Sequence, residues 1–169
     1  MRLIKRKEII HPGYKAGFIP TIITSGFYTG FFPVASGTFG SAAALLFFLI
    51  PGFSDIYVLS GSIAAALLAG TFLSGKMIKR YGNDPSVVVL DEFAGMWLTI
   101  LISGFYFYSF LSFAVGFIMF RLFDIAKIFP ASYFDKIKNG FGIMMDDVIA
   151  GIYGGVFTII ILKLIDYIR

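Results

Sequence analysis

Long stretches of this chain carry no charge. Residues 16–54, 56–75 and 93–120 contain no Asp, Glu, Lys or Arg, and after Asp147 the chain is uncharged again as far as Leu162. The first run is too long for one ordinary membrane span and is broken by Pro20, Gly26, Gly30, Pro33, Gly37 and Gly40. It predicts a partly inserted or re-entrant helix over 16–32, a loop over 33–37, and a helix from Thr38 that ends at Pro51-Gly52, because irregular backbone at membrane depth survives only where protein or water covers it. The second run has the ~20 residues a bilayer core requires and stops at Lys76, Lys79 and Arg80, before a turn at 81–85. The third run, 28 residues long, exceeds one span and falls short of two. A break at Ser103-Gly104 predicts a hairpin whose arms borrow their charged flanks. A last helix is predicted over 143–165. The pattern as a whole predicts an all-α, polytopic membrane helix bundle with helices near 38–51, 56–75, 87–103, 105–125 and 143–165. That is four to five spans plus the re-entrant or interfacial N-terminal helix, in one domain covering 1–169.

Composition agrees with a lipid-facing surface. The chain is 58% hydrophobic and 14% charged, against about 25% charged in soluble domains. With no cysteine, disulfides, thiol nucleophiles and thiolate metal sites are excluded. The single histidine, His11, lies outside the apolar runs, which argues against a histidine-based triad. The net charge of +4 is dispersed, so it reads as contact with anionic lipid headgroups rather than nucleic acid. Residues 1–15 read as a basic cytoplasmic tail, and the start lacks the apolar core of a secretory signal.

Charge asymmetry sets the expected orientation. The N-terminal tail, the expected loop at 76–80 and the connection at 127–138 are basic, whereas the turns at 51–55 and 103–108 carry no Lys or Arg. Positive-inside logic places the first group in the cytoplasm. Thr38 and Ser41, Asp91 and Glu92, Arg121, Asp124 and Lys127, and Asp146 and Asp147 then all fall on that one face. Five carboxylates without thiol or imidazole suit a hard cation: Mg²⁺, Mn²⁺ or Ca²⁺. The plainer alternative is mutual satisfaction: Arg121, Asp124 and Lys127 are spaced by three and share a helix face. Asp146 and Asp147 have no basic residue within a turn. Gly37, Thr38, Gly40 and Ser41 open a helix where amides and hydroxyls can meet a phosphate, although a cap followed by small packing residues reads the same way. Gly151 and Gly155 are expected in close helix packing, within the chain or in a homodimer. Trp97 and the many Phe and Tyr side chains are expected as lipid contacts and interfacial anchors.

With these residues in place, the chain resembles the phosphatidylglycerophosphatase A family. The matching blocks are Ser36-Gly37-Thr38-Phe39-Gly40-Ser41, Asp91-Glu92-Phe93-Ala94-Gly95-Met96-Trp97, Phe120-Arg121-Leu122-Phe123-Asp124-Ile125-Ala126-Lys127 and Gly142-Ile143-Met144-Met145-Asp146-Asp147-Val148-Ile149-Ala150-Gly151. Ser36 and Ile128 stand where the family usually has proline. The resemblance implies a Mg²⁺-dependent, multi-pass enzyme of the bacterial inner membrane that acts on a membrane phospholipid. It would remove the terminal phosphate of phosphatidylglycerophosphate at the cytoplasmic side.

On that basis Asp91, Glu92, Asp124, Asp146 and Asp147 are the expected metal ligands. Gly37, Thr38, Gly40, Ser41, Arg121 and Lys127 are the expected substrate contacts. Asp147, Asp124 and Thr38 are the candidates for base or nucleophile, by direct water attack or through a covalent phosphoenzyme. The rival readings are a phosphatase for another lipid monophosphate and a small ion- or proton-coupled transporter. The latter predicts acidic residues spread through the bilayer depth, whereas here they gather at one side.

Overall fold

The computed structural model describes residues 9–83, 85–106 and 108–168. Residues 1–8 of the expected tail, Asp84 of the expected turn, Phe107 and Arg169 lie outside that set. The elements are α1 (Phe18–Thr24), a 3-10 turn (Thr29–Phe31), α2 (Ser36–Leu46) with a 3-10 extension (Phe47–Leu49), α3 (Ile56–Tyr81), α4 (Leu90–Gly104), α5 (Phe110–Ala126), α6 (Ala131–Phe134) and α7 (Gly140–Ile168). The fold is all-α, with no strand among the described residues.

The N-terminal helix is much shorter than the pattern predicts. It stops at Thr24 because Gly26, Phe27 and Tyr28 follow with φ of 52°, 56° and 69°, a left-handed run that no α-helix accommodates. In the opposite sense, α3 outlasts its apolar run. Lys76, Lys79 and Arg80 are helical rather than a loop. Basic side chains at a helix C-terminus complement its dipole, and Gly82 with φ 85° ends the helix. Arg80 also donates from Nη1 to the Tyr14 carbonyl at 2.6 Å.

Helix α7 is the hub, packed against α3, α4, α5 and α6. Small residues make that possible. A Cβ on Gly151 would sit 2.5 Å from the Gly95 carbonyl oxygen, and one on Gly154 would sit 3.0 Å from the Phe120 Cα. Thr99 seals the seam by donating its hydroxyl to the Gly95 and Gly151 carbonyls at 2.9 and 3.1 Å. The glycine face of α7 is therefore occupied by α4 and α5 of the same chain. Trp97 is likewise internal: its indole N–H donates to the Ala44 carbonyl at 2.9 Å, and its ring packs on Phe47, Phe53 and Phe93. It links α2 to α4 and is no interfacial anchor.

Among the described residues two helices, α3 and α7, are long and apolar enough to cross a membrane. At 15 and 17 residues, α4 and α5 reach only about 22 and 25 Å, short of the ~30 Å hydrocarbon core. Most of α4 is buried inside the bundle. Large apolar side chains stand exposed elsewhere, including Leu68 and Phe72 on α3, Phe110 and Ile118 on α5, and Ile160 and Leu164 on α7.

Candidate active site

Four helix ends meet at a cleft of about 260 Å³. The start of α2 contributes Ser36, Gly37 and Thr38, and the start of α4 contributes Asp91 and Glu92. The end of α5 brings Arg121, Asp124 and Lys127, and the first turns of α7 bring Asp146 and Asp147. The antiparallel packing of consecutive helices explains the convergence: α4 and α7 start, and α5 ends, at the same end of the bundle.

The five carboxylates divide into two groups. Asp91, Glu92 and Asp147 each place one oxygen within 4.8 Å of the others. Asp91 Oδ1 and Glu92 Oε2 are buried with no hydrogen-bond partner. Asp91 stands beside Glu92, and Asp124 beside Asp147. Ionised carboxylates only accept hydrogen bonds, so such pairs need a shared proton or a cation between them. Converging hard oxygens with two of them orphaned fit a hard divalent cation.

The other group is held by side-chain cations. Arg121 pairs with Asp124 at 2.5 Å, as the spacing of three allows, and reaches the Ser41 hydroxyl at 3.4 Å. Lys127 caps α5 in a left-handed conformation, φ 45°. Its ammonium donates to Asp135 at 2.7 Å and to Asp146. Burial alone would depress the Lys127 pKa, but the Asp146 and Asp135 carboxylates outweigh it and hold the group well above the usual lysine range. Asp146 thus has a basic partner after all, delivered from another element 19 residues away, where no helical spacing could reveal it. Its second oxygen accepts from the Asp147 amide at 3.1 Å.

The α2 segment also divides. Ala35 is left-handed at φ 49°, and no side chain caps the helix, so the amides of its first turn open on the cleft, where an anion is favoured. Gly37 matters sterically. A Cβ there would collide with Glu92 Oε1 and lie 3.1 Å from both terminal nitrogens of Arg121. Gly40 and Ser41 do not line the cleft. Gly40 is where α2 closes on the Val89 side chain, 2.8 Å from a Cβ at that position. Ser41 is buried, donating to the Gly37 carbonyl at 2.8 Å and supporting Arg121 from behind. Ser36, standing where the family usually has proline, uses its hydroxyl to bond the Ser86 carbonyl at 2.7 Å, tying α2 to the segment before α4. Sequence reasoning missed Asp135 and Lys138, which also line the cleft. The only signal was the density of charge in the connection before α7.

Comparison with known proteins agrees with this arrangement. A sequence model of the phosphatidylglycerophosphatase A family matches residues 22–162. A phosphatidylglycerophosphatase A of Escherichia coli is 33% identical over 78% of this chain and 76% of its own length. One of Haemophilus influenzae is 36% identical over 78% of this chain and 82% of its own. A Bacteroides thetaiotaomicron protein, provisionally described as a phosphatidylinositol-3-phosphatase, is 35% identical over 82% of this chain and 91% of its own. No solved structure matches. The helix-start glycine block, the two acidic pairs and the Arg121–Asp124 pair lie inside the matched region, and the chain belongs to the phosphatidylglycerophosphatase A family.

Proposed function

We propose that this phosphatase hydrolyses the terminal monoester of phosphatidylglycerophosphate, giving phosphatidylglycerol and inorganic phosphate, and that Asp91, Glu92 and Asp147 hold the Mg²⁺ it uses. The observation that carries the reading is the convergence of those three carboxylates, two of their oxygens orphaned, beside Arg121 and the uncapped start of α2. Bound magnesium supplies positive charge at the phosphoryl oxygens and acidifies a neighbouring water.

The chain's own residues do the rest. Arg121 and the α2 amides hold the phosphoryl oxygens and stabilise their growing charge. The Thr38 hydroxyl donates to the same group. Asp124 pins Arg121, and Lys127 pins Asp146 against the start of α7. As water attacks phosphorus, its proton passes to the Asp124–Asp147 pair. The bond to the glycerol oxygen breaks, and the departing alkoxide takes that proton from the pair to become the alcohol. A direct carboxylate or Thr38 nucleophile is the competing route. Turnover in ¹⁸O-water with acid trapping separates the two: a trapped phosphoenzyme would overturn direct attack by water.

The site belongs at the cytoplasmic headgroup level of a bacterial inner membrane. Helices α3 and α7 cross the bilayer, and α4 and α5, with help from their flanks, complete the bundle together with α2, which runs beside α4 from the cleft toward the far end. Lys76, Lys79 and Arg80 sit at the cleft end of α3, the sidedness that positive-inside logic assigns to the cytoplasm. A second reading, activity on another lipid monophosphate, is favoured by the description of the Bacteroides relative. Phosphatidylglycerophosphate and phosphatidylinositol 3-phosphate share a chemistry, a phosphodiester to the lipid and a separate monoester on the headgroup. The deciding experiment is phosphate release by purified protein from a panel of lipid monophosphates, with and without Mg²⁺. Release that is strongest on phosphatidylglycerophosphate and lost with chelator is expected. No release, or release indifferent to chelator, would overturn the proposal.

A further inference from the structure

Among the described residues three cations line the cleft: Arg121, Lys127 and Lys138. Two are committed to carboxylates, Arg121 to Asp124 and Lys127 to Asp135 and Asp146. Lys138 is different. Its ammonium donates to the main-chain carbonyl of Asp135 at 2.6 Å, a neutral acceptor, and among the described residues no ion pair neutralises it. It brings an uncompensated positive charge to a cleft otherwise rich in carboxylates.

Its place is fixed by the fold. Asn139, the next residue, accepts from the Gly142 amide through Oδ1 at 2.9 Å and from the Ile143 amide through its carbonyl at 3.1 Å. Gly140 is pressed against the backbone of Gly70 and Thr71 on α3. The corner before α7 is therefore clamped on both sides, and the Lys138 side chain is held at the rim by the Asp135 carbonyl. Asp135 is itself tied through Lys127 to Asp146. A chain of polar contacts thus runs from the carboxylates of α7 to an exposed ammonium of the cleft lining, which comes from a different element than Arg121 and the α2 amides.

We propose that Lys138 binds the phosphodiester of the substrate, while the monoester lies at Arg121 and the start of α2. This rests on the lipid-phosphatase reading above and deepens it. The enzyme would select lipids that carry a phosphodiester as well as a monoester, over lipids such as phosphatidic acid whose single phosphate is the monoester itself. A compact ammonium on a flexible stem suits a diester, whose single negative charge is spread over two non-bridging oxygens. Rejection of the simpler lipid follows from the same charge: without a diester, Lys138 gains nothing on binding, whereas a charge-assisted hydrogen bond is made with the preferred one.

The test compares kcat/KM of the purified full chain on phosphatidylglycerophosphate and on phosphatidic acid in the same detergent micelles. Lys138→Gln and Lys138→Arg are compared with the parent. The preference for the diester-bearing lipid is expected to fall about tenfold in Lys138→Gln, mainly through KM, and to return in Lys138→Arg. An unchanged ratio, or an equal fall on both lipids as general loss of surface attraction would give, overturns the assignment. Parent protein that hydrolyses phosphatidic acid but not the diester-bearing lipid overturns it too, while leaving a lipid phosphatase. Parent protein that releases phosphate from neither removes the reading on which the assignment stands, and the assignment with it.

Discussion

The two ends of the bundle treat their charges in opposite ways. At the cleft end, Asp91, Glu92, Asp124, Asp146 and Asp147 come from three helices and converge in one cleft, with Asp146 and Asp147 buried. At the other end, Asp55 caps its own helix, accepting from the Tyr57 and Val58 amides at 2.9 and 3.2 Å. Asp166 accepts from the exposed Tyr106 hydroxyl at 2.6 Å, and Lys163 lies 5.7 Å from the centroid of that ring. An exposed carboxylate is satisfied by one or two hydrogen bonds and water. A buried one needs partners from distant segments, and burying several together costs several kcal/mol per ion in stability. Such a cost is expected to persist where the charges serve chemistry, so the two ends should respond differently to the same kind of mutation.

The strongest test is at the cleft end. Asp147→Asn removes one carboxylate of the converging three and half of the Asp124–Asp147 pair. Activity is expected to fall by about 10³-fold or more, while thermal unfolding in detergent shows a Tm unchanged or raised, because a crowded buried charge has gone. A large fall in Tm would mean that the carboxylate supports the fold, and the contrast between the two ends would collapse. Gly37→Ala probes the same end without touching a charge. The added Cβ meets Glu92 and the Arg121 guanidinium and should displace them by a fraction of an ångström. A loss of about 10²-fold in kcat is expected, with a smaller effect on stability, read by steady-state kinetics and thermal unfolding of the same preparation.

The sequence pattern located these residues better than it located the helices. Charge cannot sit idle in an apolar run, so Asp91, Glu92, Asp146 and Asp147 stood out, and alternating sidedness brought them to one face. Helix ends were harder to read. The stop of α1 depends on three left-handed residues, two of them aromatic, which no propensity scale marks as breakers. The extension of α3 through Lys76–Arg80 depends on a dipole that accepts the very charges taken as a boundary. The burial of Trp97 and the use of the α7 glycines inside the chain depend on which helix faces which, and a uniformly apolar surface conceals that choice. The Lys127–Asp146 bond escaped for the same reason: partners brought together by tertiary packing leave no period in the sequence.

The smallest expected effect lies at the far end. Asp55→Ala removes a helix cap whose carboxylate serves only the first turn of α3. The loss should be about 1 kcal/mol, seen as a modest fall in Tm, with kcat and KM on the lipid substrate unchanged. Asp55→Asn or Asp55→Ser should recover most of the stability, since either side chain can accept from the same amides. If the alanine variant lost activity in proportion to its charge rather than its stability, the far end would share in the chemistry. Buried position would then no longer be what separates the carboxylates that act from those that only hold a helix.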